Sequence, residues 1–359
     1  MKEDWLHFLR CPVSRMPLRL QVLETRTKDF ESGEETIVWK GLLFGIEPFV
    51  FPILEGIPRL IVEAIIDYAS FLKPHLPDYE TRKSEIYSRF GGFMKKVEAK
   101  NAATKKSFSQ EWSLYQFDAD KTWNLEAPHL LDRFLLETNE TTDSLKGKWV
   151  LDAGCGNGQL NLEMAKSGIY SVGMDFSMGI ENAAQKNRYQ KAIFIQGDVE
   201  FPPFDFRFFD LVHSSGVLIH TQRTELSLSA LTPCVKPGGK ISLWSYHPRK
   251  DLIHQLINQI RQFSSRLPIR VQFYLYAISI LPVGLLIKWA KGNRQKPREL
   301  MVEILDWFSP QYRWEHEVSE IETWLWKRNF HQIKLTDSNM WGFNLVGIKK
   351  MENPVKKAA

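Results

Sequence analysis

Cysteine is scarce in this chain and charge is close to balanced, and each shortage narrows the possibilities. The three cysteines, Cys11, Cys155 and Cys234, are odd in number and far apart among 359 residues. They offer neither a disulfide framework nor the paired spacing of a zinc quartet. Basic side chains number 47 and acidic ones 42, a net charge of +5 that by itself does not imply a nucleic-acid partner. The opening Met1-Lys2-Glu3-Asp4-Trp5 lacks the basic-then-apolar run of a signal peptide, so the expected compartment is the cytoplasm. No internal repeat or extended low-complexity tract stands out, and the length fits one to three domains.

The most informative stretch is a strand reading, Trp149 to Leu151, that runs into Asp152-Ala153-Gly154-Cys155-Gly156-Asn157-Gly158. A helix-like segment follows, and a second strand from Tyr170 to Met174 ends at Asp175. Alternating glycines at a strand-to-helix turn let a ligand approach the backbone closely; a Cβ at Gly154 or Gly156 is expected to fill that space. An acid at the tip of the next strand, about 20 residues on, is where nucleotide-binding βαβ units hold a ribose. The spacing G-x-G-x-G departs from the dinucleotide fingerprint. Asp152 just before it would repel a pyrophosphate, which prefers bare N–H groups. A carboxylate there suits a cofactor with a cationic end.

Val150-Leu151-Asp152-Ala153-Gly154-Cys155-Gly156-Asn157-Gly158 resembles, without mismatch, the first motif of the class I S-adenosylmethionine-dependent methyltransferases, V-L-D-x-G-C-G-x-G. Four further motifs follow in register: Val172 to Ser177; Gln196-Gly197-Asp198-Val199; Phe209 to Val212, continued by Gly216 to Thr221; and Lys236-Pro237-Gly238-Gly239. The resemblance implies an α/β, Rossmann-like sheet of seven strands with an antiparallel last hairpin, and S-adenosyl-L-methionine as cofactor. It assigns cofactor contacts to Asp152, Gly154, Cys155, Gly156, Asn157, Gly158, Asp175, Phe176, Ser177, Gly197, Asp198, Val199 and Ser214. Asp175 would take both ribose hydroxyls, and Asp198 the adenine amine.

Residues 1–62 read as a separate, β-rich unit. Its ends, Leu9-Arg10-Cys11-Pro12 and Phe51-Pro52-Ile53-Leu54-Glu55-Gly56-Ile57-Pro58-Arg59-Leu60, resemble the Trm112-like zinc-ribbon module. Ser14 stands where that module has its second ligand, so a degenerate ribbon without metal is expected. Residues 63–106 read as a charged helical connector whose lysine-rich end, Lys95 to Lys106, is expected to be a solvated face. Phe108, Trp112, Tyr115, Phe117 and Trp123 then form an aromatic lead-in, with core packing and a cap over the cofactor both open. The catalytic domain is expected over 107–350, and 351–359 as a flexible tail.

A helical insertion spans 249–310. Its middle, 267–289, is the most apolar run of the chain, with basic residues at both flanks. It is near the lower end of the length needed to cross a bilayer, and Pro282 and Gly284 interrupt it. A substrate lid, a core helix pair, a membrane-surface helix and a span all remain open.

Methyl transfer is an in-line displacement, and a base is needed only where the acceptor must lose a proton. Acceptor groups are expected beyond the carboxyl ends of the fourth and fifth strands. His220 and His247 are candidate catalytic residues there. Asp306, in Asp306-Trp307-Phe308-Ser309-Pro310-Gln311-Tyr312, is a third, with Tyr246, Trp307 and Tyr312 as candidate pocket walls. Too few thiols serve arsenite methylation. His213-Ser214-Ser215-Gly216 stands where amine-methylating nucleic-acid enzymes carry N-P-P-Y. The expectation is therefore transfer to oxygen or carbon of a small, lipid-linked or sugar-containing acceptor, with peripheral membrane contact through 267–289 open and the oligomeric state unassigned. Two alternatives are an RNA methyltransferase using the first module as adaptor and a cofactor-binding scaffold without chemistry.

Overall fold

The computed structural model describes residues 1–114, 120–121, 125–249 and 251–351. The short apolar runs after residue 148 become a parallel sheet buried on both faces. These strands are β5 (Trp149–Ala153), β6 (Tyr170–Asp175), β7 (Ala192–Gly197), β8 (Phe209–Ser215) and β9 (Val235–Tyr246). Every residue of β7 is buried, as a strand covered on both sides requires. β10 (Phe330–Ser338) and β11 (Gly342–Lys349) close this end as an antiparallel hairpin, with β11 inserted between β9 and β10. The order β7-β6-β5-β8-β9-β11-β10 makes the expected seven-stranded, Rossmann-like layout. The chain leaves β5 toward β6 on one side and returns to β8 on the other. Ligands of open α/β sheets bind at such a switch point, beyond the carboxyl ends of the strands.

Four more strands, all from the stretch 1–62, extend the sheet. They are β1 (Arg19–Phe30), β2 (Gly33–Phe44), β3 (Val50–Leu54) and β4 (Ile57–Leu60). β4 pairs in parallel with β7, Arg59 opposite Gln196 and Leu60 opposite Gly197, giving one sheet of 11 strands. The apolar cores merge as well. Phe8 stacks on Phe208 at 4.9 Å and packs on Trp149 at 5.4 Å. Arg59, 1% exposed, forms an ion pair with Glu181 at 2.6 Å. The edge of β7 is covered rather than left free to pair elsewhere.

The connector stretch holds two short helices, Ala64–Asp67 and Ala69–His75, and then the helix Tyr79–Ser113, broken at Phe90 just before Gly91-Gly92. Its lysine-rich end is not simply a solvated face. Lys100 reaches Asp198 at 3.2 Å and also pairs with Glu200, while Lys105 pairs with Glu63 at 2.7 Å and with Asp67. Within the aromatic lead-in, Phe108 is described and lines the central cavity. Tyr115, Phe117, Trp123 and the side chain of Trp112 lie outside the described residues.

The insertion consists of helices Leu252–Ser264, Ile269–Ala290 and Pro297–Phe308. The second and third pack through a cluster that includes Tyr276, Leu300, Ile304 and Leu305. Gly284 permits their close approach, because a Cβ there would stand 3.1 Å from Leu300 Cδ2.

Candidate active site

The turn after β5 has the shape its glycines require. Gly154 and Gly158 both have positive φ, +95° and +70°. A Cβ on Gly154 would collide with Val217, and one on Gly158 would stand 2.6 Å from Ala183 Cβ and from Phe194. At Gly154 the space is thus taken by the protein's own packing rather than kept for a ligand, a correction to the expectation from sequence. Asp175 braces the turn. One carboxylate oxygen accepts the Gly156 N–H at 2.8 Å, and the other accepts the Ser177 N–H at 2.8 Å and hydroxyl at 2.7 Å.

These elements open onto a cavity of about 870 Å³. On its floor Asp152 is buried, and burial pushes its carboxyl up to about 7, with the nearby Asp175 and Glu137 carboxylates adding to the shift. Three carboxylates converging on one floor favour a cationic guest. Asp198 lies at another wall, held by Lys100, while its second oxygen accepts the Glu200 N–H at 2.9 Å.

The other end of the cavity is built by the segment after the insertion. Trp314 N–H donates to the Ile219 carbonyl at 3.0 Å and His316 N–H to the Tyr246 carbonyl at 3.0 Å. That anchors residues 312–316 between β9 and the turn Leu218–His220. His220 Nδ1 lies 2.9 Å from the Tyr312 carbonyl, which can only accept, so Nδ1 carries the proton. The lone pair is then on Nε2, a buried atom with no hydrogen-bond partner among the described residues. Nε2 stands 3.9 Å from Asp306 Oδ1, and Tyr246 Oη donates to Asp306 Oδ2 at 3.4 Å. The Arg313 guanidinium sits 3.9 Å from the Tyr246 ring centre and 4.8 Å from that of Trp307. Burial drives His220 down to about 4 and Asp306 up to about 7, the latter against the pull of Arg313. At neutral pH the imidazole is uncharged and its Nε2 is a free acceptor.

The cavity brings together His220, Asp306, Tyr246, Trp307 and Tyr312 with Asp152, Gly154, Cys155, Gly156, Asn157, Asp175, Phe176, Gly197, Asp198 and Val199. Gly158 and Ser177 support this wall without lining it. Two expected residues face elsewhere. Ser214 donates to the Ala153 carbonyl at 2.8 Å from inside the sheet, and His247 packs on Phe343 and contacts Ser338 at 3.3 Å. Strand alternation explains both, since His213, Ser215 and Tyr246 face the cavity and their neighbours must point away. The same alternation could have picked out His213, whose Nε2 lies 3.4 Å from Glu137 Oε2. Glu137 itself, joined to Arg133 at 2.7 Å, comes from the helix Ala127–Thr138 and carried no local signal. Among the described residues no group of three or more His, Cys, Asp or Glu is placed to hold a metal ion.

Residues 151–243 match the family described as the methyltransferase domain. This stretch is a methyltransferase domain. The ubiquinone biosynthesis O-methyltransferase of Coxiella burnetii is 31% identical over 130 residues, 34% of this chain and 56% of that protein. The demethylmenaquinone methyltransferase of Streptomyces avermitilis is 32% identical over 113 residues, 31% of this chain and 48% of that protein. The chain thus spans about half the length of these curated relatives. A solved magnesium protoporphyrin IX methyltransferase from Synechocystis aligns with a TM-score of 0.41 and 17% identity, covering 69% of this chain and 98% of that one. S-adenosylmethionine is the cofactor of the methyltransferase domain, and the residues present fit it. Asp152 offers a buried carboxylate to an ammonium, the Gly154–Gly158 turn presents backbone, and the floor is electronegative where a sulfonium is to be tolerated.

Proposed function

We propose that the chain is an S-adenosylmethionine-dependent methyltransferase that methylates a hydroxyl on a small, apolar, ring-containing acceptor. One observation carries this reading: a single cavity joins the glycine turn and its carboxylates to the His220–Asp306–Tyr246 cluster. Bound S-adenosylmethionine supplies an electrophilic methyl group on a sulfonium. Asp152 would hold its ammonium, Asp175 its ribose hydroxyls, and Asp198 with Val199 the adenine. Trp244, Tyr246, Trp307 and Trp341 wall the acceptor end with aromatic surface. His220 Nε2 accepts the hydroxyl proton, and Asp306 stabilises the imidazolium that forms. The names of the two curated relatives, one an O-methyltransferase of ubiquinone biosynthesis and the other a demethylmenaquinone methyltransferase, agree with a ring-containing, lipid-linked acceptor. Residues 1–62, despite their likeness to the Trm112-like module, serve as a structural extension of the sheet in a cytoplasmic protein.

Calorimetric titration with S-adenosylhomocysteine is the first test, and absence of binding at high micromolar ligand would remove the proposal. Untargeted metabolite comparison with a deletion strain would then identify the acceptor as a species that is lost while its counterpart, lighter by one methylene, accumulates.

A further inference from the structure

The helix Ile269–Ala290 is apolar on both faces, and only one face is covered. Its inner side packs on the domain: Tyr276 is 1% exposed and donates to Ser264 Oγ at 2.8 Å, and Gln272 donates to the Leu267 carbonyl at 2.7 Å. The outer side repeats at helical spacing through Val271, Tyr274, Ile278, Leu286 and Trp289, all exposed, with Ile278 at 79% and Leu286 at 66%. Ser279 is the only hydrophilic residue on that face, and its hydroxyl bonds back to the Leu275 carbonyl. A continuous apolar surface of this size calls for a partner.

The charges beside it indicate which partner. Arg266 and Arg270 stand exposed at one end, and Lys291 and Arg294 at the other. Among the described residues none of the four is in an ion pair, and the outer face between them carries no acid. A second copy packed on this face, in either direction, would bring cations against cations. Anionic lipid headgroups complement both ends at once, while the apolar row enters the acyl boundary.

We propose that the outer face of Ile269–Ala290 docks the protein on an anionic membrane surface. The helix is long and apolar enough to cross a bilayer, but crossing would strip Tyr276 and Gln272 of their partners and expose the Leu300–Leu305 core. It lies in the interface plane instead. Lys288, Glu303, Asp306 and Trp307 of the same insertion line the acceptor end of the cavity. Docking would therefore set that end beside the lipid, a corollary that rests on the function proposed above; the docking itself does not.

The test is flotation of the full-length protein with vesicles of equal parts phosphatidylglycerol and phosphatidylcholine, read alongside sedimentation velocity without lipid. The wild type is expected to float at low salt, to leave the vesicles in high salt, and to float poorly with phosphatidylcholine alone. Ile278→Asp combined with Leu286→Asp is expected to abolish flotation while keeping the wild-type circular dichroism and S-adenosylhomocysteine affinity, because both positions are solvent-exposed. Arg270→Gln with Lys291→Gln should weaken partitioning on the order of twentyfold, about fivefold per cation. Failure of the wild type to float would overturn the proposal, and a dimer abolished by Ile278→Asp would assign the face to a second copy. Flotation unchanged in the double aspartate variant, or release of the wild type only by detergent, would overturn it equally. None of these readouts depends on methyl transfer, so they separate failure of the docking from failure of the enzymatic reading.

Discussion

His220 Nε2 lies 3.9 Å from Asp306 Oδ1, with both side chains almost closed to solvent. The Tyr312 carbonyl fixes the tautomer, so the imidazole presents a lone pair toward the cavity rather than a proton. Positioned acid–base groups contribute roughly 100- to 10,000-fold to a rate. His220→Ala and Asp306→Asn are each expected to lower kcat by about 100-fold or more and to leave S-adenosylhomocysteine affinity within about threefold of wild type. Single-turnover methyl transfer and calorimetry read the two quantities separately. Full activity in His220→Ala would show that the acceptor needs no base.

Asp152 should couple cofactor binding to pH. Its ordinary value is near 4, and the fold raises it to about 7. Between those values the folded protein holds a proton that the unfolded chain has lost, so this group's contribution to stability falls as pH rises from about 4 to about 7. His220 acts oppositely, its stability contribution rising between about 4 and 6.5. An ammonium guest favours the ionised Asp152, so binding should release a proton and tighten as pH rises through about 7. Calorimetry in buffers of different ionisation enthalpy detects the release. Asp152→Asn should weaken binding by about 10- to 100-fold, the value of one charged hydrogen bond, and flatten the pH profile. A wild-type affinity independent of pH between 6 and 8 (about one unit either side of the raised value) would contradict this.

Asp175→Ala is expected to weaken cofactor binding by about two to four orders of magnitude, from two charge-assisted hydrogen bonds to the ribose. The same carboxylate also ties down the Gly156 and Ser177 N–H groups, so Asp175→Asn, which keeps one acceptor oxygen, should recover part of the loss. Affinity within threefold of wild type in the alanine variant would remove the ribose assignment.

What the sequence made legible was local. The turn from Asp152 to Gly158 and the acid at Asp175 form one strand–turn–helix–strand unit, and their identities follow from the backbone shape and charge that a cationic nucleoside needs. Tyr246 is legible as a pocket wall, and His213 is within reach of strand periodicity, which decides which neighbour faces the cavity; Ser214 and His247 run against it. Glu137 and Lys100 were out of reach. Each comes from a helix whose docking depends on long-range packing, and an ion pair between Lys100 and Asp198 leaves no mark on the spacing of either segment. The eleven-stranded sheet was hidden for the same reason, because parallel pairing joins segments far apart in sequence.

That pairing reverses the expectation for a truncated protein. With no cofactor motif before residue 62, the sequence predicts that the remainder binds the cofactor unaided. In the structure, removing 1–62 would strip β4 from β7, expose the Gln196–Gly197 edge and uncover Trp149 and Phe208 where Phe8 packs. It would also leave Glu181 without Arg59. An exposed edge beside an opened apolar core favours aggregation over folding. The truncated chain is therefore expected to be insoluble or to lose cooperative unfolding. Arg59→Ala in the full chain, which leaves the edge covered, should cost about 3–5 kcal/mol as a broken buried ion pair, toward the lower figure because Glu181 is partly exposed. Chemical denaturation measures the second effect and gel filtration the first. A soluble, monomeric 63–359 fragment with wild-type affinity for S-adenosylhomocysteine would restore the two-unit reading and reduce β1–β4 to an appended module.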